Sequence, residues 1–334
     1  MSQELPAIEG YMSFAGYRTW YRVTGESEDP GKFPLLCLHG GPGATWHHME
    51  PYQELAADGR RVICYDQLGC GNSAITEPHE KSMWTTELFV AEVAAIRKEL
   101  GLDRCHVLGH SWGGMLGMAY ATTKPSGLVS LVAESSPANV SFWLTELDRL
   151  RADLPPGVDG VLRRHEAAGT TDSEEYEATM VAFYDRHVCR QRPYPDWLDR
   201  CFARLGENPE VYHTMNGPSE FHVIGPLKDF DITADLGAID ADPTVYHTMN
   251  GPSEFHVVGS LKDWDITDRL HEISTPTLLV SGRHDEATPL IVGQIHERIP
   301  GAEWTIFEES SHMPHVEEPE AFLERVDAFL RTID

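Results

Sequence analysis

The stretch CHVLGHSWGGMLGMAYATT, residues 105–123, decides the fold. It opens with an apolar run, CHVLGHS (105–111), the pattern of a strand buried on both faces. It closes with GMLGMAYATT (114–123), which continues as a helix. At the junction GHSWGG (109–114) contains G-x-S-x-G. Glycine and serine are common, so these letters alone carry little. Set between a strand and a helix they describe a sharp turn that needs small residues on either side and presents the Ser111 hydroxyl at a helix N-terminus, a nucleophile elbow.

The flanking sequence repeats the strand–helix pattern. YMSFAGYRTWYRVTG (11–25) reads as two strands with a turn at Ala15–Gly16. FPLLCLHGG (33–41), RRVICYDQLG (60–69) and LVSLVAESS (128–136) are further apolar runs, and TTELFVAEVAAIRKELG (85–101) has helical spacing with a closing glycine. From about 138 to 272 the chain turns to charged helical stretches. Strand patterns resume at TPTLLVSGRHD (275–285) and AEWTIFEES (302–310), before a closing helix, EPEAFLERVDAFLRT (318–332). The expected architecture is an α/β fold of the α/β-hydrolase type, with a mostly parallel sheet, helices on both faces and a helical cap. Residues 1–137 and 273–334 would form the core, and 138–272 the cap over the C-terminal sheet edge, where open α/β sheets bind ligands.

A serine hydroxyl is a weak nucleophile and needs a base held by a third group. In this fold the acid and then the base follow the serine in sequence. Asp285 falls just after one strand and His312 just after the next, on loops at the same sheet edge as Ser111. His315 competes as base, but His312 directly follows the strand and a Ser-Ser turn. Asp285 could instead cap the helix that starts near Thr288–Pro289. LHGGPG (38–43) supplies glycines whose N–H groups can approach an oxyanion, so the hole is assigned to the N–H groups of Gly41 and Trp112. His39 and the pair His47–His48 read as polar loop residues without a metal-ligand pattern, and Asp66 as structural. No metal or organic cofactor is implied.

Taken together, LHGGPG, YDQLGCGNS (65–73), GHSWGG, GRHDEATP (282–289) and SSHMPHVEEPEAF (310–322) resemble the proline iminopeptidase family of α/β-hydrolases. That family also holds amino-acid amidases and the tricorn-interacting aminopeptidase. The resemblance extends to FYDRHVCR (183–190). It implies release of an unblocked N-terminal residue, often proline, from peptides, amides or arylamides, with Ser111, Asp285 and His312 as the triad. It also implies two glutamates that hold the substrate ammonium by charge-assisted hydrogen bonds. One follows the triad aspartate and is Glu286 here; the other lies in a motif like MNGPSEF, which occurs twice and offers Glu220 and Glu254.

The two copies belong to a longer duplication. Residues 211–233 and 245–267 differ at three of 23 positions: Ile224/Val258, Pro226/Ser260 and Phe230/Trp264. Near-identity suggests a recent tandem duplication, because repeat arrays need more copies and diverge. The family pattern has one copy. Glu254 is favoured over Glu220, since the second copy runs uninterrupted into the strand ending near Asp285.

Composition excludes several roles. The net charge of −27 among 334 residues repels nucleic acid and anionic membranes. No apolar run is long enough to span a bilayer, MSQELPAIEG lacks the pattern of a signal peptide, and six scattered cysteines without a CxxC pair suit reduced thiols, so a cytoplasmic protein is expected. The expected partner is a small peptide or aminoacyl amide with a free N-terminus. Two alternatives stand beside this reading: an amidase or tailoring hydrolase acting on small aminoacyl amides, and a catalytically silent ligand-binding protein.

Overall fold

A computed structural model describes residues 5–25, 29, 31–216 and 269–334. Its frame is one eight-stranded sheet in the order β1-β2-β4-β3-β5-β6-β7-β8. The strands are β1 (Ala7–Phe14), β2 (Tyr17–Thr24), β3 (Leu35–Leu38), β4 (Val62–Tyr65), β5 (Cys105–His110), β6 (Leu128–Glu134), β7 (Thr277–Gly282) and β8 (Glu303–Phe307). β1 and β2 form a hairpin closed by Ala15 and Gly16, both at positive φ, the backbone that a two-residue turn requires. β2 runs antiparallel to β4, and all other neighbours are parallel.

Side-chain alternation divides the core into two layers. On β3, Leu36 and Leu38 point into a cluster with Phe89, Val93 and Ile96 of α1 (Thr86–Glu99) and Leu116 of α2 (Trp112–Thr122). Leu35 and Cys37 point the other way, towards Met49 and Tyr52 of a 3₁₀ segment (Trp46–Ala56) and Phe322, Val326 and Phe329 of the C-terminal helix. With both faces covered, the central strands need apolar residues at every position. All six cysteines are buried free thiols.

Between β6 and β7 the described residues hold helices and no strand. These are α3 (Val140–Ala152), α4 (Val158–Ala168), α5 (Glu174–His187), α6 (Asp196–Glu207), α7 (Glu210–Met215) and a 3₁₀ turn (Leu270–Glu272). α3 starts on the Asn139 side chain, which accepts from Phe142 N–H, and α4 stops at Gly169 with φ of 65°. After β7 come α8 (Pro289–His296), β8, a one-turn helix (Pro314–Glu317) and α9 (Pro319–Arg331). Among the described residues no helix is long and apolar enough to cross a membrane.

Candidate active site

Ser111 sits at the tip of the β5–α2 turn with φ 54° and ψ −122°. This left-sided backbone costs a non-glycine residue about 1–3 kcal/mol and survives only where its surroundings enforce it. The enforcement here is steric. A Cβ on Gly109 would lie 2.0 Å from the Gly113 carbonyl oxygen, one on Gly113 2.0 Å from that of Leu38, and one on Gly114 2.0 Å from Ser136 Oγ. Ser111 N–H donates to the Glu134 carbonyl (2.9 Å), and Ser136 Oγ donates to the Ser111 carbonyl (2.9 Å). Trp112 then begins α2, and Gly41, at φ 83°, lies three residues beyond β3.

The acid and base candidates meet at this same edge. Asp285 is buried and caps no helix; its Oδ1 accepts from Ala287 N–H (2.8 Å), and Thr288 occupies the position before α8. His312 Nδ1 donates to Asp285 Oδ1 at 2.8 Å, which fixes the tautomer that leaves Nε2 able to accept a proton. The Ser-Ser turn before His312 is pinned from the C-terminal side. Ser311 N–H and Oγ donate to Glu317 Oε2 (2.6 and 2.9 Å), and Ser310 Oγ donates to Glu318 Oε2 (2.6 Å). Glu286 is fully buried, and its Oε1 lies 3.7 Å from His312 Nε2. Glu220 and Glu254, with nearly all of the duplication, lie outside the described residues. Its first residues fall in α7, where Val211 packs on Gly69 and Tyr212 on Gly43.

Other histidines and acids have structural occupations. His315 Nδ1 donates to Glu134 Oε1 (2.8 Å), and the Tyr52 hydroxyl donates to Glu134 Oε2. His39 lies in a loop as expected, but buried: its Nε2 accepts from Gln67 N–H (3.0 Å), and burial holds its pKa down to about 4. Gln67 also accepts from Trp112 Nε1 (2.9 Å) and donates to the His39 carbonyl (3.0 Å), which joins the Gly40–Gly41 loop to the elbow. The pair His47–His48 is not in a loop. Both residues lie in the 3₁₀ segment, started where Asp66 Oδ1 accepts from Trp46 N–H (2.7 Å). Asp66 is structural, since its other oxygen holds Asn72 (2.7 and 2.9 Å); burial outweighs these bonds and raises its pKa to about 6.

Sequence reasoning missed two arrangements. His110, Glu134 and His315 each bring a possible ligand atom within 4.8 Å of the others. His315 Nδ1 and the Tyr52 hydroxyl both donate to the Glu134 carboxylate, and His110 Nε2 donates to the His312 carbonyl, so the set reads as part of a hydrogen-bond network. The inserted helices also hold both loops of the site. His187 Nδ1 donates to the His284 carbonyl (3.0 Å), while Glu286 N–H donates to the His187 carbonyl (3.2 Å). Arg190 N–H donates to Glu317 Oε1 (2.6 Å), and its Nη1 to the Glu309 carbonyl (2.8 Å). A cavity of about 740 Å³, lined by Trp46, Trp197 and Arg200, includes none of Ser111, Asp285, Glu286 and His312.

A sharp strand–helix turn at Ser111, followed in sequence by the acid and base candidates Asp285 and His312 on a mostly parallel sheet, is the arrangement of an α/β-hydrolase, and a family model of the alpha/beta hydrolase fold matches residues 34–225. Relatives covering nearly the whole chain narrow the class. A proline iminopeptidase of Heyndrickxia coagulans is 37% identical over 97% of this chain and 99% of its own length. One from Clostridium botulinum is 36% identical, covering 98% and 99%. The chain belongs to the proline iminopeptidase family. Among solved structures it is similar to VinJ (41% identity, TM-score 0.83, covering 98% of this chain and 99% of that one). It is also similar to the proline iminopeptidase of Mycobacterium smegmatis (39%, TM-score 0.78, 97% and 98%).

Proposed function

We propose that this protein is a serine aminopeptidase that releases an unblocked N-terminal residue, proline, from small peptides, amides or arylamides through an acyl-enzyme. The observation that carries the reading is Glu286: a buried carboxylate 3.7 Å from the base imidazole, on the loop that holds the acid. Acyl transfer has no use for a second carboxylate there, whereas a substrate ammonium does. In the cycle Ser111 attacks the carbonyl as His312 takes its proton, and Asp285 holds the imidazole and stabilises its charge. The oxyanion forms against the N–H groups of Gly41 and Trp112. His312 protonates the leaving amine, and water then releases the acyl group by the same route. Glu286 and a glutamate of the duplicated motif, Glu220 or Glu254, hold the ammonium. Residues 138–272 act as the cap closing over this edge.

A panel of free and N-acetylated prolyl and alanyl arylamides tests the reading. Free prolyl arylamide should be turned over, and acetylation should cost about 10²–10³ in kcat/KM, because it leaves a buried carboxylate without its cation. Equal rates on free and acetylated substrates would sink the ammonium clamp. Turnover confined to non-prolyl amides would move the protein to the amidase reading.

A further inference from the structure

His110 fills the variable position directly before Ser111 and has no part in the chemistry above. Its ring is buried, and Nε2 lies 2.8 Å from the His312 carbonyl oxygen. A carbonyl only accepts, so Nε2 carries the proton. Nδ1 has no protein hydrogen-bond partner and faces Gly40, where a built Cβ would come within 3.1 Å of it. The ring also meets that of His312 edge-on, with centroids 4.8 Å apart. One imidazole is therefore bonded through the chain to the candidate nucleophile, packed on the oxyanion loop and hydrogen-bonded to the backbone of the candidate base.

We propose that His110 is a positioning residue: its Nε2–H bond to the His312 carbonyl sets the base imidazole at working distance from Ser111. The proposal rests on the reading of Ser111 and His312 as nucleophile and base. Asp285 fixes how the His312 ring is turned, and Glu317 and Glu318 hold the turn before it. The His110 bond alone among these runs from the strand that carries the serine. A misplacement of about 1 Å between reacting groups costs about 10²-fold in rate. The groups facing His110 are His48 (ring centroids 4.6 Å apart), His315 (4.9 Å), His312 and the Glu134 carboxylate, which Tyr52 and His315 already engage. Burial foremost, then these imidazoles, hold the His110 pKa well below its ordinary value, so the ring stays a neutral donor.

The test compares His110→Leu, which removes the donor, with His110→Gln, whose amide N–H reaches the Nε2 position. Both are assayed on the arylamide that the wild type cleaves best. His110→Leu should lower kcat by about 10²-fold while KM moves less than about threefold, and should displace the pH profile of kcat/KM that reports the base. His110→Gln should recover at least about tenfold of the loss. Wild-type kcat in the leucine variant, equal loss in both variants, or a loss carried by KM overturns the proposal. Should the leucine variant fail to fold, ¹⁵N shifts of histidine-labelled wild-type protein carry the test. They should show His110 protonated at Nε2 and bare at Nδ1 from about pH 5 to 8, and any other tautomer overturns the proposal. A wild-type protein whose Ser111 neither turns over arylamides nor takes a fluorophosphonate is a separate outcome, which removes the serine-hydrolase reading and this proposal with it.

Discussion

The sheet edge and the inserted helices use charge in opposite ways. At the edge the polar groups are buried and joined across long stretches of chain, as in Asp285 with His312, Glu134 with Tyr52 and His315, and Glu92 with Leu68 N–H and Thr19. In the inserted helices many pairs are exposed and local, such as Arg164 with Glu175, or Arg204 with Glu207. Exposed pairs are worth about 0–1 kcal/mol, whereas a buried polar group that loses its partner costs several times more. Sequence change is therefore cheap on the helices and expensive at the edge. Exceptions should fall where the helices bury a charge or grip the site.

The largest expected effect is at the edge. Ser111→Ala should lower kcat by about 10⁴–10⁶ with melting unchanged; wild-type turnover in that variant would end the serine mechanism. Next comes the duplicated motif, judged by kcat/KM for free-amine substrates. The uninterrupted tether of the second copy favours Glu254, while the seating of Val211 and Tyr212 on Gly69 and Gly43 anchors the start of the first copy to the core and supports Glu220. One alanine variant should lose about 10²–10³ and the other almost nothing. Equal losses would show that both copies serve the site.

Within the inserted helices the contrast can be tested on stability alone. Arg151 is 1% exposed and pairs with Asp159 (2.8 Å) and the fully buried Glu166 (3.1 Å). Arg151→Ala should cost about 3–5 kcal/mol in chemical denaturation, because it strands Glu166. Arg163→Ala, at a partly exposed position, should cost less than about 1 kcal/mol. Similar values for the two would erase the distinction.

The smallest effect, spread over many groups, is the pH dependence of melting. Burial holds the pKa values of His39, His47 and His106 down to about 4, and those of His48 and His110 well below the ordinary value. These imidazoles take a proton in the unfolded chain near pH 6.5 but not in the fold. Their contribution is whole above 6.5 and is lost as pH falls towards 4. Burial raises Asp66 to about 6 and Glu92 to about 7, so their contributions are whole at low pH and are lost as pH rises through those values. The imidazoles outnumber the carboxyls, and Tm should fall steadily on acidification from about pH 6.5 to 4. A flat or rising Tm across that window would contradict the burial of this histidine layer.

The sheet was legible because its signals are local and repeated: apolar runs, the Ala15–Gly16 turn, and an elbow whose glycines answer to sterics. The meeting of Asp285 and His312 was legible because each follows a strand of a parallel sheet, which delivers both to one edge. His110 left no comparable trace. One letter inside a motif gives no period, and its partner stands 202 positions away. The 3₁₀ segment was hidden by Pro51 and by a start that depends on Asp66, far along the chain. The grip of His187 and Arg190 on the site loops was equally silent, since main-chain carbonyl acceptors have no sequence signature.

The glycines of the elbow have a consequence for descent. Gly109, Gly113 and Gly114 are fixed by contacts with Leu38, Ser136 and their own turn, none of which involves the serine hydroxyl. On the proposed mechanism, a lineage that exchanged Ser111 for an inert residue would lose its chemistry in one step, yet any drift at the three glycines would still break the turn. Such a descendant would carry the motif as an inheritance of packing. Glycines preserved at these positions therefore date the architecture, and only the atom at the tip of the turn records whether the work continued.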